Sequence, residues 1–425
     1  MSYLELADLA EDEILLKQEV HRFAEEVIRP ASIEIDRMPS DKYQEEITRR
    51  DSPYWRVMRE MKKLGYHRAI IPEIFGGEGL SPREVHILVE EISWGSSGFS
   101  MALGVDFIPI LFGILSFDDY IKKSLVQPWL EDKEAEFQGC WGATEPEHGS
   151  DLLVVSSMPP QDRQQVSAGQ VTARKDGNEW VINGQKAYWI SAAPVATHVG
   201  LHVNMDFAKG TLGGTCIVPL DLPGVTKGKP ILKLGQRECP QGELVFEDTR
   251  ILEGYMISAF ETTSEAETSR IMGQFLSMTS CWMAACSTGL ARAAFEEALK
   301  YSKERMQGGK PICEHQLIKK KLFDMFTKVE TARAYSRRVM DHVLEKLLEK
   351  FTWDASPRHA LAAQVYCKQV AYEVADEAIQ IHGGCGTTED YLVQKLYRDA
   401  RVKLIEDGTT EVLSLEGASN IVRDY

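Results

Sequence analysis

The chain has 425 residues, 44% of them hydrophobic and 26% charged, with a formal net charge of −16. That length exceeds one small core and calls for two or three packed modules of ordinary globular composition. The acidity argues against nucleic acid or an anionic membrane as a bulk partner, while a local basic patch could still receive a phosphorylated ligand.

Eight cysteines (Cys140, Cys216, Cys239, Cys281, Cys286, Cys313, Cys367, Cys385) are scattered without close-paired metal spacing. Reduced thiols in a cytoplasmic protein are the expectation. The acidic start Met1-Ser2-Tyr3-Leu4-Glu5 has no basic-then-apolar secretion pattern. No stretch approaches about eighteen unbroken apolar residues, so no membrane span is expected.

In chain order, Leu16, Val20, Phe23 and Val27 mark an amphipathic helix over 10–29, which Pro30 is expected to end. Val57, Met61 and Leu64 repeat the pattern over 54–64, with Gly65 as the stop. Gly76-Gly77-Glu78-Gly79 marks a tight loop, and Ser81-Pro82-Arg83-Glu84 reads as a capping box opening the next helix. Residues 83–130 continue as largely apolar helices. Asp106 is the only acid between Glu91 and Asp118. It is either a helix-terminal residue or a buried carboxyl whose pKa burial would raise, a possible second base.

From about residue 139 the helical period gives way to short strand-like runs. Val171-Thr172-Ala173-Arg174 and Trp180-Val181-Ile182 flank Asp176-Gly177-Asn178, a hairpin signal. Ile182-Asn183-Gly184-Gln185-Lys186 reads as a further turn, and residues 153–170 as an exposed loop. Cys216–Leu220 and Glu243–Phe246 add strands. Past residue 256 the helical period returns, with long helices through 316–349 and 359–382. The pattern is α, then β, then α, an α+β protein with expected domains 1–138, 139–255 and 256–425.

Five segments could carry chemistry. Trp141-Gly142-Ala143-Thr144-Glu145-Pro146-Glu147-His148-Gly149-Ser150-Asp151 offers amides and two hydroxyls to a planar, carbonyl-rich ligand, although the same residues make ordinary capped turns. Trp189-Ile190-Ser191 places an indole beside a hydroxyl, a pairing that also suits a plain core. Arg305 is a fixed cation with bidentate donors suited to a pyrophosphate, and His315 nearby reads as a helix-start residue. Gln380-Ile381-His382-Gly383-Gly384-Cys385-Gly386 permits close backbone approach. Glu406-Asp407-Gly408-Thr409 follows, setting two acids before a turn. No dinucleotide fingerprint, Walker loop, nucleophile elbow or zinc helix is present.

In this order, and over nearly the whole chain, these motifs resemble the acyl-CoA dehydrogenase flavoprotein family. The resemblance implies an N-terminal α-helical domain, a middle β-barrel or sheet domain and a C-terminal four-helix bundle. It implies FAD, with contacts carried onto Ala143, Thr144, Gly149, Ser150, Trp189, Ser191, Arg305, Gln380, Gly383, Gly384, Thr409 and Glu411. The implied reaction is α,β-desaturation of an acyl-CoA, a carboxylate taking the α-proton while a hydride passes to the flavin. Electrons would leave to an electron-transfer flavoprotein, and the assembly would be a homodimer or homotetramer.

Where the family carries its catalytic Glu, this chain has Asp407. Glu406 through a local shift, or Asp106 in a 1,4-elimination on a cyclic acyl-CoA, are the other candidate bases. The family's alternative base site falls on Thr279, which cannot serve. An Asp at the base position also suits a nitroalkane-oxidase-like enzyme, and a non-catalytic flavoprotein scaffold is the remaining alternative. Thr144, Ser150, Trp189 and Thr409 speak against the scaffold. One extra residue precedes Trp189, leaving Tyr188 and Trp189 both as candidates to pack on the ring.

Overall fold

The computed structural model describes residues 6, 8–116, 118–151, 153, 169–207, 210–259, 265–350 and 357–424. Most of the loop expected over 153–170 lies outside the described residues. The helices before the sheet are α1 (Glu11–Phe23), α2 (Arg29–Asp36), α3 (Ser40–Glu46), α4 (Pro53–Lys63), α5 (Pro82–Gly95), α6 (Ser97–Asp106), α7 (Ile108–Leu115), α8 (Asp119–Ile121) and α9 (Gln127–Glu131).

Pro30 does not end the first helix. A π-turn over Ala24–Ile28 intervenes, in which Arg29 N–H reaches back five residues to the Ala24 carbonyl, and Pro30 sits in the first turn of α2. The wide turn moves the carbonyl that the proline ring would strike in a regular helix. Lys122–Val126 repeats the device ahead of Pro128. The other expected boundaries follow their local chemistry. Gly65 takes φ +77° after α4. Ser81 Oγ accepts from Glu84 N at 3.3 Å while Ser81 N–H donates to Glu84 Oε2 at 2.7 Å, a full capping box.

Ser97–Leu115 is long and apolar enough to cross a bilayer, but it is split between α6 and α7 and its window is 83% buried inside the protein. It is a core element.

The middle domain is a sheet of β1 (Gly139–Gly142), β2 (Thr172–Asp176), β3 (Glu179–Ser191), β4 (His198–Phe207), β5 (Gly210–Pro219), β6 (Val225–Lys227), β7 (Gln241–Leu252) and β8 (Met256–Ala259). The order is β6-β7-β3-β2-β4-β5-β8, with β1 parallel to β4 off that path. The hairpin at Gly177-Asn178 joins β2 to β3, with Gly177 at φ +63°.

The turn expected at Asn183-Gly184 is instead a bulge inside β3, where the register against β7 shifts between Ile182 and Gly184. Asn183 and Asp248 exchange two hydrogen bonds of 3.0 and 2.8 Å across it, so the partner strand holds the kinked backbone extended. A second shift falls between Lys186 and Ile190. Ala187, Tyr188 and Trp189 lie within that shift.

The C-terminal domain is helical: α10 (Glu265–Glu304), α11 (Gln316–Lys350), α12 (Arg358–His382), α13 (Val393–Lys403) and α14 (Thr410–Asp424), with a small hairpin of β9 (Met306–Gln307) and β10 (Lys310–Pro311). α10 packs along both α12 and α5. One apolar cluster, including Val89, Leu201 and Ala371, joins all three domains. The acyl-CoA dehydrogenase arrangement of helical, sheet and helical domains is present.

Candidate active site

The loop between α13 and α14 carries the two acids, and the structure separates them. Glu406 turns into a polar cluster, where its Oε1 lies 2.8 Å from Lys403 Nζ and accepts from Gln236 Nε2 at 2.9 Å. Lys403 holds its carboxyl below the usual range despite burial. Gln236 is fixed in turn by Asp399, whose Oδ1 accepts from the Gln236 amide at 2.6 Å.

Asp407 takes the left-handed backbone conformation at φ +52°, followed by Gly408 at φ +88°. Asp407 lines a cavity between the helices. Burial pushes its carboxyl up, and Lys368 is the largest opposing influence. The loop closes on Thr409, whose Oγ1 caps α14 by accepting from Val412 N–H at 3.3 Å.

The other cavity walls are apolar. Val85 and Leu88 come from α5, Met101, Leu103 and Val105 from α6, Met278 and Met283 from α10, and Met340 and Leu344 from α11. Trp141, Phe107 and Trp282 add aromatic surface. Trp282 is fixed by its Nε1–H, which donates to the Ser100 carbonyl at 3.1 Å. Thr279 also lines the cavity, and among the described residues no lysine or arginine does. His67 is present, and burial lowers its pKa to about 3, so it is neutral at working pH. Among the described residues, Asp407 is therefore the one carboxylate on a cavity lined mainly by apolar side chains.

Asp106 does not line this cavity with its neighbours Val105 and Phe107. Its carboxylate is fully buried, 3.3 Å from Lys62 Nζ, and accepts from Trp129 Nε1 at 3.1 Å and Gly139 N at 2.6 Å. Lys62 also pairs with Asp132 at 3.0 Å. These contacts tie the end of α6 to α4 through Lys62, to α9 through Trp129 and to the start of β1 through Gly139.

The segment 141–151 is organised by a buried ion pair. Lys186 Nζ lies 2.7 Å from Glu145 Oε1 and donates to the Ala143 carbonyl at 3.1 Å. Ala187 N–H donates to the Thr144 carbonyl at 3.0 Å. Ser150 Oγ accepts from Thr409 N–H at 3.2 Å, which joins this segment to the Asp407 loop. Tyr188 and Trp189 are 53% and 59% exposed, so both rings face outward from β3. Ser191 Oγ accepts from Gln241 Nε2 at 2.9 Å. Gly149 has open space where a side chain would start.

Arg305, Gln380, Gly383, Gly384 and Glu411 are placed differently. Arg305 enters the β9–β10 hairpin, whose Gly308 and Gly309 take φ +60° and +81°. His315 supports that hairpin through a 3.0 Å contact between its Nε2 and the Gln307 carbonyl. Tyr301 stacks on His382 at 4.1 Å between ring centroids, joining the hairpin to the Gly383 turn. Gly383 and Gly384 have open space around them, and Gln380 and Glu411 are exposed. Along α10, the twenty-six residues from Thr279 to Arg305 span about 39 Å at the helical rise. Arg305 therefore lies at the far end of α10 from the cavity-lining Thr279, whereas Glu411 stands two residues from Thr409, whose N–H meets Ser150.

Sequence reasoning missed Gln364 and Lys368. Lys368 Nζ donates to the carbonyls of Glu406 (2.6 Å) and Gly408 (3.0 Å), and Gln364 Nε2 donates to that of Asp407 (3.1 Å). The available signal was a polar pair four residues apart on the face of α12 that otherwise holds Ala360, Ala363, Cys367 and Ala371.

Models of the acyl-CoA dehydrogenase N-terminal, middle and C-terminal domains match residues 10–117, 140–249 and 269–421. The chain is 29% identical over 416 residues to a 3-(aryl)acrylate reductase of Clostridium sporogenes, covering 96% of this chain and 98% of that one. It is 29% identical over 423 residues to the mitochondrial short-chain specific acyl-CoA dehydrogenase of Rattus norvegicus, covering 98% and 92%. Among solved structures, the butyryl-CoA dehydrogenase of Megasphaera elsdenii superposes with a TM-score of 0.80 at 26% identity, covering 99% of this chain and all of that one. With all three domains in order around an outward-facing aromatic pair and a carboxylate-bearing cavity, the chain belongs to the acyl-CoA dehydrogenase family of FAD-dependent oxidoreductases.

Proposed function

We propose that this protein desaturates an acyl-CoA thioester between its α and β carbons, with Asp407 as the base. The observation that carries the reading is the placement of Asp407 as the one carboxylate, among the described residues, on a mainly apolar cavity. Glu406 is ion-paired away from that space, and Asp106 is consumed by Lys62, Trp129 and Gly139.

FAD fits the residues on the outer side of β3. Tyr188 or Trp189 would cover the ring, Thr144, Ser150, Thr409 and Glu411 would offer polar groups, and the open approach at Gly149 suits a close contact with the cofactor. When bound, FAD supplies the acceptor for the β-hydride. The chain's own work is to hold the acyl group dry against Asp407, and to hold the α-proton once it leaves carbon.

The distance from Thr279 to Arg305 supports a homodimer or homotetramer in which Arg305, Gln380, Gly383 and Gly384 serve a cofactor in the neighbouring subunit. Exposed Leu317, Phe323 and Leu415 on the C-terminal helices supply apolar surface for such contacts. An electron-transfer flavoprotein is the proposed electron acceptor. The eight unpaired cysteines support a cytoplasmic setting.

That no lysine or arginine lines the cavity among the described residues bears on the substrate. A second carboxylate at the far end of the acyl group would be buried unpaired, at a cost of several kcal/mol. Branched, cyclic or aryl acyl groups without a terminal charge suit the methionine and tryptophan walls.

The test is anaerobic bleaching of the flavin by a panel of straight, branched, cyclic, aryl and dicarboxylic acyl-CoAs, and by nitroalkanes. Bleaching by uncharged thioesters is expected. Bleaching by nitroalkanes with none by thioesters would replace this reading with an oxidase.

A further inference from the structure

The three carbonyls that bracket the base all point at one helix. Glu406, Asp407 and Gly408 are consecutive, and their carbonyl oxygens accept from Lys368, Gln364 and Lys368 respectively. Both donors lie on α12, one helical turn apart, and neither is exposed. An extended loop cannot turn three successive carbonyls to one side, because they alternate along an extended chain. The left-handed conformations of Asp407 and Gly408 make it possible. The clamp and the unusual backbone therefore require each other.

We propose that Gln364 and Lys368 are positioning residues for proton abstraction, fixing the loop backbone so that the short Asp407 side chain is aimed into the cavity. This rests on Asp407 being the base. The chemistry makes the need plain. A left-handed residue other than glycine costs about 1–2 kcal/mol, so without a clamp the loop would relax and swing the carboxylate away. An aspartate has one methylene fewer than a glutamate with which to correct such an error.

The clamp is also charged. The groups facing Asp407 are Lys368 from α12, Lys403 from α13 and Glu406 from its own loop, with Cys286 of α10 beside Lys403 at 2.9 Å. Lys368 is the largest influence favouring the carboxylate, while its own pKa is lowered to about 8 by burial. A lysine that merely filled space would not alter the protonation of the base.

The experiment follows exchange of the α-protons of 3,3-dimethylbutanoyl-CoA in D2O by NMR, on the full-length, FAD-loaded protein. Its β-carbon carries no hydrogen, so exchange reads the base without hydride transfer. Lys368→Met is expected to slow exchange by about ten- to a hundredfold and to move the acid limb of the pH profile upward, since the cation no longer favours the carboxylate. Gln364→Leu is expected to slow exchange with the limb in place, because it removes a neutral donor. It also serves should Lys368→Met fail to fold.

Asp407→Asn is the control. If it abolishes exchange while folded Lys368→Met and Gln364→Leu keep the wild-type rate and limb, the clamp is overturned and the base stands. If Asp407→Asn leaves exchange intact, the base reading falls and the clamp falls with it.

Discussion

Replacing Asp407 by Asn and by Glu separates the role of the carboxylate from the role of its length. Asn is nearly isosteric and tolerates the left-handed conformation at φ +52°. The carbonyl clamp from Gln364 and Lys368 acts on the backbone and survives the change. What is lost is the base, worth about 10²–10⁴ in rate, or about 3–5 kcal/mol at the transition state.

Glu restores the carboxylate but reaches about 1.3 Å further, and an error of about 1 Å can cost a hundredfold. The clamp leaves little freedom to absorb it. The assay is stopped-flow bleaching of the flavin under anaerobic conditions with the best uncharged acyl-CoA. Asp407→Asn is expected to lose at least a hundredfold, and Asp407→Glu to lie between it and the wild type. An Asn variant within tenfold of the wild type would remove Asp407 as the base. A Glu variant faster than the wild type would refute the matching of cavity and short acid.

Other perturbations test the surrounding structure. Asp106→Asn is expected to lower stability in urea by about 1–3 kcal/mol, through the weakened contact with Lys62, while the acid limb of flavin reduction stays in place. Arg292→Met would remove the cation shared by Glu90 and Glu91, both 2.7 Å from Arg292 Nη1, leaving Glu90 to Arg333 and Glu91 to His21, and is expected to cost about 3–5 kcal/mol in urea unfolding. Glu91 is held down to about 2. Its stabilisation is thus complete above the ordinary Glu pKa and is lost as pH falls toward 2, so acid unfolding of the wild type should steepen over that window. Gly104→Ala would set a Cβ 2.8 Å from Trp282 Nε1. It is expected to weaken turnover of bulky aryl or cyclic thioesters more than that of short straight ones.

Much of the fold was legible because its signals are local. The capping box at Ser81–Glu84, the stop at Gly65 and the hairpin at Gly177 each act over four residues or fewer, and each is in place. Signals of the same kind were overridden where tertiary structure supplied an alternative. Pro30 is passed by a π-turn, and Asn183-Gly184 is held straight by Asp248 from a strand sixty-five residues away. Asp106 stood out as the lone acid in an apolar run, but its partner Lys62 lies on another helix, and no spacing rule connects the two.

The same limit applies to the site. Asp407 could be placed from its motif, because the loop is contiguous in sequence. Gln364 and Lys368 act on it from about forty residues upstream, across a helix turn and two intervening elements. Their polarity on a buried face was visible, but the carbonyls they serve were not.

The most direct measurement is α-proton exchange from 3,3-dimethylbutanoyl-CoA in D2O, compared across the wild type, Asp407→Asn, Glu406→Gln and Asp106→Asn. Loss of exchange in Asp407→Asn, with exchange retained in folded Asp106→Asn and Glu406→Gln, is the expected result. Retained exchange in Asp407→Asn, or its selective loss in Asp106→Asn, would contradict Asp407 as the group that takes the proton.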